Sequence, residues 1–119
     1  MTTEELIQMI QDGQWIRNQD FHGKDFSGQD FSKGKFEACD FSGANLREAK
    51  FIRSSLRQCN LSKADLRLAD FNQADLFGSD FTDAKFRRAN LTGSNRIGTK
   101  IRKFALKGAF LTGPTPYTE

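Results

Sequence analysis

Large apolar residues occupy every fifth position through most of this chain, and this spacing constrains the fold more than any other feature. From Phe21 to Leu111, 18 of the 19 positions in this register hold Phe, Leu or Ile, and the exception is Arg96. A period of five matches neither the 3.6-residue period of a helix nor the two-residue alternation of a strand. Each unit of five residues must therefore turn a corner. A disordered tract would instead leave all 18 apolar side chains in water.

The other positions of the unit are also regular. A small residue, most often Ala, stands two positions before the large one, Asp or Asn commonly stands directly before it, and Gly is frequent two positions after it. Clear units are residues 64–68 (Ala-Asp-Leu-Arg-Leu), 74–78 (Ala-Asp-Leu-Phe-Gly) and 89–93 (Ala-Asn-Leu-Thr-Gly). They resemble the A(D/N)LXX motif of the pentapeptide-repeat family, and the resemblance covers about residues 19–113.

The resemblance implies an all-β solenoid, namely a right-handed quadrilateral β-helix with four units per coil and about four to five coils. The large central residue and the small residue two before it would point inward, and the other three positions would face solvent. Residues twenty apart would stack at about 4.8 Å on four faces. We assign residues 19–113 to this β-helix, irregular from about residue 96, and residues 114–119 to a C-terminal tail.

A single coil cannot bury enough surface to be stable alone, so both ends of the stack need covering. Thr2 and Glu5 have the spacing of a capping box, which predicts a short α-helix. Residues 1–18 are therefore predicted to form a capping helix and a lead-in that cover the first coil, with a partner-docking helix as the alternative. At the other end, Pro114 and Pro116 are expected to stop strand pairing.

Arg96 interrupts the apolar register and allows two interpretations. Either the chain bulges so that Ile97 turns inward, or the regular coils stop near Asn95 and the remaining residues form a looser cap.

Few residues could carry catalysis or bind a cofactor. Cys39 and Cys59 are twenty apart and should stack inside successive coils, where parallel Cβ vectors disfavour a disulfide, so two buried thiols are expected. His22 is the only histidine, and we expect it to lie on the surface. The aligned Asp residues are explained by hydrogen bonds at turns rather than by acid–base chemistry. We therefore predict no enzymatic activity, no cofactor and no metal site.

Residues that bind a partner should occupy the outward positions. Arg47, Arg67 and Arg87 each follow an inward residue of the second face, and Lys107 extends the row. This row is a candidate site for an anionic partner, with an ordinary solvated surface as the alternative. Four apolar residues are candidates for self-association or for contacts with a C-terminal cap: Phe77, Ile97, Phe104 and Phe110.

We expect a non-enzymatic, cytoplasmic protein that acts as a rigid scaffold for binding another protein, with a homodimer through the C-terminal end as a further option. No apolar run approaches the about 20 residues of a membrane-spanning helix, and no secretory leader opens the chain. Some members of the family resemble duplex DNA and modulate DNA gyrase, which gives an alternative. A net charge of +3 and an arginine row disfavour mimicry of a polyanion. Direct nucleic-acid binding is disfavoured because the row lacks interleaved exposed aromatic residues.

Overall fold

The N-terminal segment forms the predicted helix. The structure, a computed structural model, describes residues 1–112, and the predicted tail, including Pro114 and Pro116, lies outside them. Helix α1 spans Thr3–Gln11. Thr2 Oγ1 accepts the Glu5 N–H at 3.1 Å, and Glu5 Oε1 accepts the Thr2 N–H at 3.0 Å, so the capping box is complete. Leu6 is fully buried, which places the apolar side of the helix against the first coil.

The body of the chain is a stack of coils in which the paired backbone positions lie twenty residues apart. Three short strands, β1 (Trp15–Arg17), β2 (Lys35–Glu37) and β3 (Ser55–Arg57), form a parallel sheet in the order β1-β2-β3. Isolated parallel bridges continue the same spacing on the other faces, for example Asp65↔Lys85. These pairs confirm the predicted β-helix with its N-terminal helix, while the number of coils stays a prediction.

The inward positions form one continuous core. Each regular position from Phe21 to Leu91 is 3% exposed or less. The rings of Phe51 and Phe71, on successive coils, stack with centroids 5.1 Å apart and an interplanar angle of 2°. From Gly34 to Ala89, small residues fill the second inward position and are buried even when polar, as Ser54 and Ser79 are. Apolar burial and stacked backbone hydrogen bonds therefore act together in every coil.

The chain turns at one residue per unit that adopts a left-handed backbone conformation. Besides glycines, eleven residues have φ between 53° and 65° at this position: Asn18, Lys33, Ala38, Glu48, Arg53, Gln58, Lys63, Leu68, Gln73, Asp83 and Arg88. Left-handed geometry is unfavourable for residues with a Cβ. The neighbouring coils hold these turns in place through hydrogen bonds such as Arg53 N–H to Asn72 O at 2.9 Å.

The C-terminal coil departs from the regular pattern after Lys100. Arg96 occupies the inward position half-buried, and the Gly78 N–H still bonds to the Ile97 carbonyl at 3.0 Å. Ile97 itself is 68% exposed, so the alternative in which it turns inward is wrong. A 3₁₀ helix over Lys103–Leu106 replaces the next corner. The ladder resumes at Phe110, which bridges to Asn90.

Within residues 1–112, no helix is long and apolar enough to cross a membrane.

Candidate functional site

The predicted arginine row lies on one face of the β-helix. The Arg67 carbonyl accepts the Glu48 amide and the Arg87 carbonyl accepts the Leu68 amide, both at 3.1 Å. These bonds place successive arginines of the row one coil apart along the axis. Such coils are about 4.8 Å apart. The Asn45 and Asp65 side chains accept the amides of Arg47 and Arg67 at 3.1 and 3.2 Å. These turns direct the arginine side chains away from the core.

The three arginines differ in how far their charge is neutralised. Arg67 binds Asp65 through two hydrogen bonds, Nε–Oδ1 at 2.8 Å and Nη2–Oδ2 at 2.6 Å. These hydrogen bonds from the Arg67 side chain hold the pKa of Asp65 below its usual value. Arg47 and Arg87 are exposed, and neither forms an ion pair among residues 1–112. Their charges therefore remain available to a partner.

The arginines line a shallow depression. Arg47, Arg67, Arg87, Leu68 and Arg88 surround a volume of about 300 Å³. Both Leu68 and Arg88 stand one residue after the row, in the left-handed turn position, and both are exposed. The sequence analysis did not identify this depression, because it depends on how side chains from three coils splay.

Lys107 extends the row with a change of register. It is exposed and lines a depression of about 350 Å³ together with Arg87 and Gly108. The Arg88 amide bonds to the Gly108 carbonyl at 2.8 Å, whereas the equivalent Leu68 amide bonds to Arg87. Lys107 thus follows the 3₁₀ helix and stands one residue out of step with the regular ladder.

A groove adjoins the row at the next corner of the coil. It has a volume of about 490 Å³, and its walls include Leu68, Arg88, Asn72 and Phe110. Leu68 is 43% exposed, and the guanidinium of Arg88 lies 5.7 Å from the centre of the Phe110 ring. The groove therefore combines an apolar wall with a cationic one.

The four predicted apolar contact residues fall into two groups. Phe77 is half-buried beneath the guanidinium of Arg57, 4.7 Å from its ring centre, and Arg57 also pairs with Asp75 at 2.7 Å. Phe110 is likewise half-buried and faces Arg88. Ile97 and Phe104 are 68% and 78% exposed. Only these last two present open apolar surface near the C-terminal end.

The aligned Asp residues act as turn acceptors. Asp40, Asp70 and Asp80 each accept the amide two residues later, at 2.8–2.9 Å. For Asp80, hydrogen bonds from the Thr82 side chain and then from its backbone amide lower the carboxyl pKa. An acid kept ionised at a turn is poorly suited to proton transfer near neutral pH.

His22 has acidic neighbours that the sequence analysis did not place beside it. Its Nδ1 lies 2.7 Å from Asp20 Oδ1, and the hydrogen bond to Asp20 raises the imidazole pKa. Potential ligand atoms of Asp20, His22 and Asp40 all lie within 4.8 Å of one another. These are the residues in the described part of the chain that could hold a metal ion, and they lie on two stacked turns, with Asp20 and His22 exposed and Asp40 half-buried.

The two cysteines are buried and free. Cys39 Sγ lies 3.2 Å from the Ile16 carbonyl and Cys59 Sγ lies 3.5 Å from the Arg57 carbonyl. The hydrogen bond with Cys39 and then burial raise the pKa of the Cys59 thiol. Both side chains occupy the small inward position, as expected.

Comparison with known proteins agrees with this geometry. A family model described as a pentapeptide repeat region matches residues 29–111. The crystal structure of alr5209, a pentapeptide repeat protein from Nostoc PCC 7120, is 26% identical with a TM-score of 0.70, covering 92% of this chain and 95% of that one. HetL, a protein from Nostoc sp. strain PCC 7120 involved in heterocyst differentiation regulation, is 26% identical with a TM-score of 0.55, covering 82% and 48%.

A more distant likeness is to QnrB1, a plasmid-mediated fluoroquinolone resistance protein. It is 26% identical with a TM-score of 0.46, covering 85% of this chain and 62% of that one, and this likeness supports no functional argument. No curated protein sequence matches the chain.

Proposed function

Because the chain belongs to the pentapeptide-repeat family, we propose that it is a non-enzymatic protein-binding module whose cationic row docks on an acidic partner. The row consists of Arg47, Arg67, Arg87 and Lys107. The observation that carries the proposal is that Arg47 and Arg87 extend from one face, exposed and without an ion pair in residues 1–112.

Placement on stacked coils adds to the strength of such a site. The unpaired charges of Arg47 and Arg87, two coils or about 10 Å apart, repel one another in the free protein, and an acidic partner relieves this repulsion on binding. Hydrogen bonds between coils hold the backbone of the arginine residues in place, so little ordering of the main chain is needed on association. Complementary charge also speeds the encounter between partners.

The test is affinity capture from a lysate of the source organism with the row reversed by Arg47→Glu, Arg67→Glu and Arg87→Glu. The matched control reverses three exposed lysines away from the row, Lys24, Lys33 and Lys63. Each triple variant changes the net charge from +3 to −3, since each substitution changes it by two. We expect acidic proteins retained by wild type and control to be lost from the row variant. Identical capture profiles for the two variants would contradict the proposal.

Modulation of DNA gyrase is the second candidate, and one acidic column favours it. Asp20, Asp40 and Asp80 align on the first face, with Asn60 between them. The cationic row on the neighbouring face argues against this candidate function. A supercoiling assay with increasing protein decides between the two: inhibition of gyrase, or its rescue from a quinolone, supports this candidate, and no effect at large excess rejects it.

Self-association through the C-terminal end is a further proposal, supported by the exposed side chains of Ile97 and Phe104. Sedimentation of the wild type and of Phe104→Ser tests it. A dimer that dissociates in the variant supports the proposal, and a wild type that stays monomeric rejects it.

A further inference from the structure

The cationic row and the neighbouring groove adjoin each other at a corner of the coil. Leu68 and Arg88 line both the depression between the arginines and the groove that ends at Phe110. One side chain is apolar and half exposed, and the other carries its charge above an aromatic ring. A ligand that lies on the row therefore reaches the groove by passing over these two side chains.

Cationic side chains outnumber acidic ones along this surface. Asp65 is held by Arg67, and Asp70 accepts the Asn72 amide at 2.9 Å and the Asn90 side chain at 3.3 Å. Glu48, which follows Arg47, is exposed at the same turn position one coil before Leu68. The free positive charges of Arg47 and Arg87 stand two coils apart, which is about 10 Å. Carboxylates of a single peptide segment can span that distance.

We infer that this surface binds an acidic linear segment of a partner protein, which places carboxylates on Arg47 and Arg87 and one apolar side chain in the groove between Leu68 and Phe110. The inference rests on the proposed function and specifies the partner's chemistry. Charge complementarity selects an acidic segment, and the apolar wall selects a segment that is more than a run of acids.

The chemistry of the groove favours a peptide over a nucleic acid. Leu68 offers an aliphatic surface that gives no stacking plane for a base, and Phe110 is already half-buried and faces Arg88. Binders of single strands present several open aromatic rings along a basic path. This groove presents one.

Fluorescence anisotropy with short labelled peptides tests the inference. The probes are a Glu-rich peptide with one central Phe, the same peptide with Ser in place of Phe, and the Phe peptide with Gln in place of Glu. We expect the first to bind tightest. Loss of the Phe should weaken binding about tenfold, the effect of exposing one apolar side chain. Loss of the acids should abolish binding, and binding of the first peptide should weaken as the salt concentration rises.

The protein variants separate the groove from the row. Leu68→Ser should weaken the Phe peptide about tenfold and leave the Ser peptide unchanged. Trp15→Ser, at an exposed apolar position outside the groove, should change neither. Thermal melts establish that both variants remain folded.

The outcomes distinguish the inference from the proposed function. Equal binding of the Phe and Ser peptides, with no effect of Leu68→Ser, would contradict the inferred role of the groove. If row reversal still removes binding in that case, the proposal of an acidic partner stands. Absence of binding by all peptides overturns the inference. If lysate capture is also insensitive to row reversal, the proposed function fails too. Tighter binding of single-stranded or duplex DNA than of the Phe peptide overturns the inference in favour of a nucleic acid.

Discussion

The buried hydroxyl of Ser79 accepts the backbone N–H of Cys59 on the preceding coil at 3.0 Å. The same hydroxyl donates its hydrogen to the Leu56 carbonyl. Ser79 is fully buried, so one side chain forms hydrogen bonds with two backbone groups that water cannot reach. Ala fills this small inward position elsewhere in the stack but offers neither hydrogen bond.

Replacement of Ser79 by Ala should destabilise the protein by about 1–3 kcal/mol, because the Cys59 amide is left buried without an acceptor. Ser54→Ala is the matched control. The Ser54 hydroxyl donates to the Phe51 carbonyl, which keeps a second bond from the Ser54 amide at 3.1 Å. Urea denaturation measures both. Equal losses in the two variants would show that the Cys59 bond has no special role.

Leu66→Lys should unfold the β-helix. Leu66 is fully buried, and an unpaired charge there costs about 3–5 kcal/mol, a large part of the about 5–15 kcal/mol that stabilises a typical domain. Leu68→Lys, two residues later and 43% exposed, should change stability by about 0.5 kcal/mol or less. Circular dichroism and melting temperature report the result. Retention of the wild-type melt by Leu66→Lys would mean that the inward assignment is wrong.

Gly34→Ala should be more damaging than Gly28→Ala. A Cβ at Gly34 would lie 2.7 Å from the Phe36 ring and 2.9 Å from the Phe31 carbonyl oxygen, so the backbone must shift. Overpacking of this kind costs about 1–3 kcal/mol. A Cβ at Gly28 meets nothing within 4 Å, and its left-handed backbone adds about 1 kcal/mol of strain. Thermal denaturation compares them, and a larger loss at Gly28 would contradict this account.

The imidazole of His22 should titrate above its usual pKa of 6.5, because its hydrogen bond to Asp20 favours the protonated ring. A raised pKa in the folded state stabilises the fold below the unfolded-state pKa, and this contribution disappears as pH rises through the folded-state pKa. Proton NMR of the single histidine measures it directly. Asp20→Asn should lower the value toward 6.5, whereas Asp25→Asn, one unit later, should leave it unchanged.

The five-residue period predicted the core because register determines burial through the regular coils. Every large residue of the register from Phe21 to Leu91 is buried as the sequence indicates. The residues that sequence reasoning missed depend on neighbours twenty positions away. Phe77 reads as an exposed apolar residue until Arg57, on the preceding coil, is placed over its ring.

Only glycine marks the turn position in the sequence. Gly23, Gly43 and Gly93, each two positions after a large residue, occupy the left-handed position. Leu68 and Arg88 adopt the same conformation without any signal in their identity. Their backbone is set by pairing between coils, and that pairing is what brings them beside the arginines to form the surface proposed here for binding.

Because paired backbone positions lie twenty residues apart, only some insertions and deletions keep the faces of the coils aligned. Removal or insertion of twenty residues keeps every column aligned and alters only the number of coils between the two ends. A change of five residues preserves the alternation of inward and outward positions but rotates all later side chains by a quarter turn. After such a change between Arg47 and Arg67, the remaining arginines would lie on a different face, in a protein whose core is still intact.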